Sequence, residues 1–207
     1  MRERMLDGKL FLDNCQGLDG ERMAAKKRMA AFNRLSPDDY DQIRAMKAEI
    51  FGQETDVFIE QPFYFTYGRN ITVGKGTYIN YNCNFIDDGK ITIGDGVLFG
   101  ANVTIATVGH PINPRYRKFM YTDAVVIEDN CWIGAGVMIN PGVTIGENSV
   151  IGSGSVVTRD IPANSVAVGN PCRVVREINA DDMRYYYRDR LIDDEELKTV
   201  EKTNQTT

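Results

Sequence analysis

A repeat of six residues governs most of this chain. Val73, Ile79 and Phe85 open three hexads, and Ile93, Phe99 and Ile105 open three more. Ile127, Ile133, Ile139, Ile145, Ile151, Val157 and Ala163 open the rest, and all but Ala163 are Val, Ile or Phe. The next position is small or polar at Gly74, Asn80, Gly94, Gly100, Gly134, Asn140, Gly146, Gly152 and Asn164. The fifth is small or β-branched at Thr77, Cys83, Val97, Val103, Cys131, Val137, Val143, Ser149 and Ser155. A helix repeats every 3.6 residues and a half-buried strand every 2, so neither accounts for this pattern. A period of six suits a short strand and a turn on each side of a triangular prism, with one apolar residue per hexad pointing inward. The small residue beside it turns the corner, where Gly or Asn tolerates a left-handed backbone angle. Coils stacked about 4.8 Å apart make a prism roughly 20 Å tall. The expected fold is mainly β, a parallel β-helix of hexapeptide repeats.

Two interruptions mark the repeat. Between Phe85 and Ile93 extra residues fall in Asp87-Asp88-Gly89-Lys90, a turn. Between Ile105 and Ile127, residues 111–126 leave the coil as a protruding loop, and long loops in compact domains are usually functional. His110 sits at its root, in Thr107-Val108-Gly109-His110-Pro111.

Before the hexads the chain reads as helical and glycine-poor. Ser36-Pro37-Asp38-Asp39 predicts a helix start, with Ser as N-cap and Pro at the first helical position. Tyr40, Ile43, Met46, Lys47 and Ile50 follow at helical spacing. Asp19 is expected to cap an earlier helix running to about Leu35, supported by Met23, Ala30, Phe32 and Leu35. The organisation expected is a helical subdomain at 1–60, a β-helix at 61–178 with the loop 111–126, and a C-terminal segment and tail at 179–207.

Composition removes several functions. The chain has one histidine, so a three-histidine metal site is excluded and no metal is expected. A net charge of −5 argues against nucleic acid as the main partner. No run approaches the ~20 apolar residues of a membrane span. Charges break up the N-terminus before an apolar signal region forms, and Cys15, Cys83, Cys131 and Cys172 make no paired motif. These features point to the cytoplasm.

The hexads, Gly109-His110-Pro111, a loop ending Met120-Tyr121, Trp132-Ile133-Gly134 and Gly169-Asn170-Pro171-Cys172-Arg173 together resemble the maltose and galactoside O-acetyltransferases. The opening Gly8-Lys9-Leu10-Phe11-Leu12-Asp13-Asn14-Cys15 is similar to theirs, and the likeness covers about residues 5–192. The resemblance implies a left-handed β-helix, a homotrimer, and acetyl transfer from acetyl-CoA to a sugar hydroxyl in a cleft between subunits. It implies acceptor contacts at Asp13, Arg22, Thr66, Asn80, Asp88 and Met120, and CoA contacts at Ala135, Ser153, Thr158, Arg159, Arg173 and Arg176. The His loop is two residues shorter than in the galactoside enzyme, which leaves the acceptor open.

The chemistry of the residues agrees with this. A thioester carbonyl is already activated, so the enzyme must deprotonate an alcohol, and imidazole titrates in the right range. His110 is the expected general base, removing the proton of the acceptor hydroxyl, which then attacks acetyl-CoA directly with no acyl-enzyme. Carboxylates and amides suit a sugar's neighbouring hydroxyls, and Arg suits phosphate. The alternatives are an O-acetyltransferase for a lipo-oligosaccharide, a surface glycan or an antibiotic, and, in another class, a non-catalytic trimeric scaffold.

Overall fold

The computed structural model describes residues 1–12, 17–193, 195, 197 and 198. Asp13 and Cys15 lie outside the described residues. The chain divides into two compact units, Met1–Arg176 and the part from Glu177 onward.

The first unit is a three-faced parallel β-helix. Its first face stacks Phe58–Ile59, Tyr78–Ile79, Leu98–Phe99, Trp132–Ile133, Val150–Ile151, Ser165–Val168 and Arg173–Glu177. The second stacks Tyr64–Phe65, Asn84–Ile86, Thr104–Ala106, Met138–Ile139 and Val156–Val157. The third stacks Ile71–Val73, Ile91–Ile93, Val125–Ile127 and Thr144–Ile145. The hexad openers from Val73 to Val157 are buried and form one continuous core. Coiling begins at Phe58, two faces before the first hexad read from sequence, because Ile59 and Phe65 sit in register with Ile79 and Phe85.

The corner chemistry differs from the expectation. Left-handed angles fall at the fourth hexad position, at Gly76, Asn82, Gly96, Asn102, Asn130, Gly136, Gly142, Asn148 and Gly154. Glycine at the second position serves close approach instead. A Cβ at Gly74 would lie 2.4 Å from the Gly94 carbonyl carbon, and one at Gly100 would lie 2.5 Å from the Ala135 nitrogen. Coil length also varies. Stacked asparagines record it: Asn82 and Asn102 are 20 residues apart, Asn130 and Asn148 18, Asn148 and Asn164 16. That final shortening corrects Ala163, which is exposed. Ile161 takes the inward position, bridged to Ile145.

Three helices precede the coils: α1 (Arg2–Leu6), α2 (Leu18–Phe32) and α3 (Tyr40–Phe51). Both expected caps are corrected. The N-cap of α2 is Gly17 rather than Asp19, and Asp39 precedes α3. Ser36 and Pro37 lie in a turn before it, where the Ser36 hydroxyl bonds the Asp38 carboxylate and the Asp39 N–H donates to the Ser36 carbonyl at 3.0 Å. Met23 and Tyr40 are 55% and 76% exposed, so neither supports a buried face. The buried anchors are Ala25 and Phe32 on α2 and Ile50 and Phe51 on α3, which join the prism core. Phe51 meets Phe63 at 6.4 Å. Asn33 clamps the same place, donating to the Phe63 carbonyl at 2.8 Å and accepting its N–H at 2.9 Å. The second unit holds an antiparallel pair, Tyr185–Tyr187 with Arg190–Leu191.

Candidate active site

The loop bearing His110 grows from one prism edge, between the second and third faces. The chain passes that edge at 66–70, then at 87–90, and then as the loop. The loop leaves through Val108–Gly109, pairs antiparallel with Tyr121–Thr122, and rejoins the coil at Val125. A short 3-10 turn, Pro114–Tyr116, forms its tip. Phe11 exchanges backbone hydrogen bonds with Met120, both at 2.9 Å. Met5, Phe11, Leu18 and Tyr67 form a small second core, against which Val108 and Met120 pack. The N-terminal segment is thereby fastened to the His loop immediately before Asp13.

His110 is exposed, with its ring oriented by backbone. Its Nδ1 lies 2.9 Å from the Arg117 carbonyl oxygen and 3.0 Å from that of Phe119. Both partners are acceptors, so Nδ1 carries the proton and the neutral ring keeps its lone pair on Nε2. The Arg117 guanidinium folds back onto the Pro111 carbonyl at 3.2 Å and onto the Ile112 carbonyl, which closes the loop around the imidazole.

The three passes are stapled by buried polar side chains. Asp87, at 0% exposure, accepts the N–H groups of Thr66 at 2.9 Å, Tyr67 at 2.8 Å and Asn70 at 3.2 Å. Burial pushes its carboxyl up to about 7, against the pull of those donors and with a small further push from Asp88. Thr107 joins the second pass to the third, accepting the Gly89 N–H at 2.8 Å and donating to the Ile86 carbonyl at 2.7 Å.

The expected site residues therefore fall into groups. Thr66, Asp88, His110 and Met120 come together on this edge, Asp88 buried and Thr66 half-buried. Thr158 and Arg159 follow the second face higher on the same edge and are exposed. Asn80, Ala135 and Ser153 lie on a different edge, between the first and second faces. Arg22 is on α2, its guanidinium 2.8 Å from Asp19. Arg173 and Arg176 are exposed on the last strand of the first face. Sequence reasoning did not single out Asp87, Asn70 or Thr107. The available signal was the longer step from Phe65 to Val73, one coil below the one from Phe85 to Ile93.

The buried thiols carry no obvious chemistry. Burial pushes Cys83 and Cys131 up to about 11. Among the described residues no group of three His, Cys, Asp or Glu side chains is placed to hold a metal ion. None of their helices is long and apolar enough to cross a membrane.

A prism of hexads with a single imidazole on a side loop defines a hexapeptide-repeat transferase. Residues 124–159 match the family "Bacterial transferase hexapeptide (six repeats)", and residues 4–54 match the "Maltose acetyltransferase hexapeptide capping motif". The galactoside O-acetyltransferase of Escherichia coli (strain K12) is 47% identical over 192 residues, covering 91% of this chain and 95% of that protein. A solved galactoside acetyltransferase in complex with coenzyme A superposes with a TM-score of 0.90 at 46% identity, covering 93% of this chain and 98% of the other. The maltose O-acetyltransferase of Clostridium difficile 630 gives 0.84 at 46% identity, with 86% and 97% covered. The chain belongs to the family of maltose and galactoside O-acetyltransferases.

Proposed function

We propose that this chain transfers acetyl from acetyl-CoA to a hydroxyl of a sugar of the galactoside or maltose kind, with His110 as general base. The observation that carries this reading is the pair of backbone carbonyls against Nδ1, which favour the proton there and leave Nε2 to accept another. His110 removes the acceptor's proton as its oxygen attacks the thioester carbonyl. The new C–O bond forms, the C–S bond breaks, and the proton passes to the departing thiolate. Attack is direct in this reading, and the buried thiols of Cys83, Cys131 and Cys172, each pushed upward by burial, are poor candidates for an acyl-carrying nucleophile. Thr66, Asp88, Met120, Arg22, Asn80 and Asp13 are the acceptor contacts of this reading.

The working unit is a homotrimer. The residues of this reading divide between two edges of one prism, Asn80 lying with Ala135 and Ser153 on one and Thr158 and Arg159 on the edge of His110, so a complete site needs the edge of a neighbour. The outward residues of the first face make an apolar ladder in register: Phe58, Tyr78, Leu98, Trp132, Val150 and Val166. Leu98 and Trp132 are 49% and 55% exposed in the single chain, as fits a face that another copy covers. The third face instead presents Thr72, Thr92, Val126 and Thr144.

CoA fits the small-residue edge and the arginine rim. Ala135 and Ser153 keep that edge open, and Thr158, Arg159, Arg173 and Arg176 supply charge for phosphate in an otherwise acidic chain. The CoA dissociation constant is therefore expected to rise with added salt. In an Arg159→Ala, Arg173→Ala double variant it should start weaker and depend less on salt. Titration calorimetry at several ionic strengths checks this, and a salt-independent affinity would count against the cluster. The cytoplasm, where acetyl-CoA is available, is the compartment of this reading.

The reaction itself is tested by thiol release from acetyl-CoA against galactosides, maltose, glucose, a lipo-oligosaccharide, surface glycans and hydroxylated antibiotics. Stimulation by the sugars is expected. Stimulation confined to a glycan or an antibiotic would move the acceptor, and none at all would leave a scaffold.

A further inference from the structure

The first two passes round the loop-bearing edge are longer than a hexad corner, and extra backbone at a corner is free to shift unless something fixes it. Asp87 and Asn70 fix it reciprocally. The Asp87 carboxylate, on the second pass, receives three N–H groups of the first, from Thr66, Tyr67 and Asn70. The Asn70 side chain, on the first pass, donates to two carbonyls of the second, Asp87 at 2.6 Å and Asp88 at 3.4 Å. Arg2 continues the chain of contacts, its guanidinium 3.3 Å from the Asn70 amide oxygen. Both side chains of this joint are buried.

The joint connects two particular residues. Thr66 supplies one of the N–H groups that Asp87 binds, and the Asp88 carbonyl is one of the acceptors that Asn70 binds. A corner that only needed filling would be served by an apolar or neutral residue. A buried carboxyl is held here against its own desolvation, an arrangement that clusters where geometry matters more than stability.

We propose that Asp87 is a positioning residue of the acceptor subsite, acting with Asn70 to hold Thr66 and Asp88 at a fixed separation beside the His110 loop. The inference rests on reading this edge as the acceptor side. It is specific in one respect: the joint serves the acceptor and leaves CoA binding alone, because Ala135 and Ser153 lie on another edge, and Thr158 and Arg159, though on this edge, lie three coils above the Asp87 pass.

Two variants test it. Asp87→Asn keeps the size of the side chain but removes the charge and places an amide N–H₂ against a backbone N–H. Asn70→Ala loosens the same joint from the other pass. In both, amide exchange at Thr66, Tyr67 and Asn70 should quicken by at least about tenfold while Ile91–Ile93 stay protected. The acceptor KM should rise about tenfold, and the acetyl-CoA KM should stay within about twofold of wild type. Should Asp87→Asn fail to fold, the Asn70→Ala split decides alone. Equal rises in both KM values, or an unchanged acceptor KM in a folded variant, would overturn the positioning role. Unchanged exchange in both variants would overturn the joint itself. Failure of the acceptor reading shows separately, as wild-type protein that no hydroxylated acceptor stimulates.

Discussion

His110→Ala is expected to lower acceptor-dependent turnover by about 10²–10⁴-fold, the usual range for losing a general base. The side chain is exposed and its loss removes only the Nδ1 contacts, so stability should fall by no more than about 0.5–1.5 kcal/mol. His110→Asn is the sharper test. An asparagine amide can place its nitrogen near the Nδ1 position and donate to the carbonyls of Arg117 and Phe119, which keeps the loop closed. It has no basic lone pair where Nε2 stood. Both variants should therefore be equally slow, with the acetyl-CoA KM unchanged in each. Stopped-flow or steady-state thiol release reads the difference directly. An asparagine variant with near wild-type turnover would mean that the ring orders the loop and removes no proton.

Phe85→Ala should cost about 3–5 kcal/mol of unfolding free energy, the range for truncating a buried phenylalanine. Phe85 has no exposed surface. It meets Phe63 edge-on at 5.1 Å and Phe99 at 5.3 Å, and Phe63 in turn reaches Phe51 of α3. The aromatic column thus runs from the helical cap into the lower coils, whereas the openers above Phe99 are Ile or Val. Neighbours held by a ladder of parallel strands have little room to collapse into the space left behind, which places the expected loss toward the top of the range. Urea unfolding monitored by circular dichroism measures it. A loss below about 1 kcal/mol would show that the lower coils relax after all.

Much of the scaffold was legible because it repeats. One inward β-branched residue per hexad is a strong, redundant signal, and a local error such as Ala163 left the rest of the register intact. The corner angle was misplaced by two residues because Gly plays two roles in one hexad. At the second position it yields space to the coil above, and at the fourth it supplies a positive φ, where Asn substitutes freely. The helix starts were misread because Ser36 and Asp19 spend their hydrogen bonds elsewhere, Ser36 within its turn and Asp19 on Arg22.

The site was legible in a different way. His110 stood out by being alone and at a break in the repeat. The other expected contacts came from resemblance, and nothing in their spacing reveals that those residues occupy two edges. Asp87 was invisible for a plain reason. An aspartate in a turn is ordinary in sequence, and only the stacked pass beneath it supplies the three N–H groups that give it a task.

Variable coil length has one more consequence. Coils of 20, 18 and 16 residues share one ladder, and every residue added between the second and third faces is absorbed outside the prism. The hydrophobic interior never registers the insertion. The loop-bearing edge is therefore a place where this architecture can lengthen, shorten or exchange peptide without renegotiating its core. On the reading proposed above, acceptor choice and structural integrity are written in separable parts of the chain, so that the loop can change while the frame beneath it stays the same.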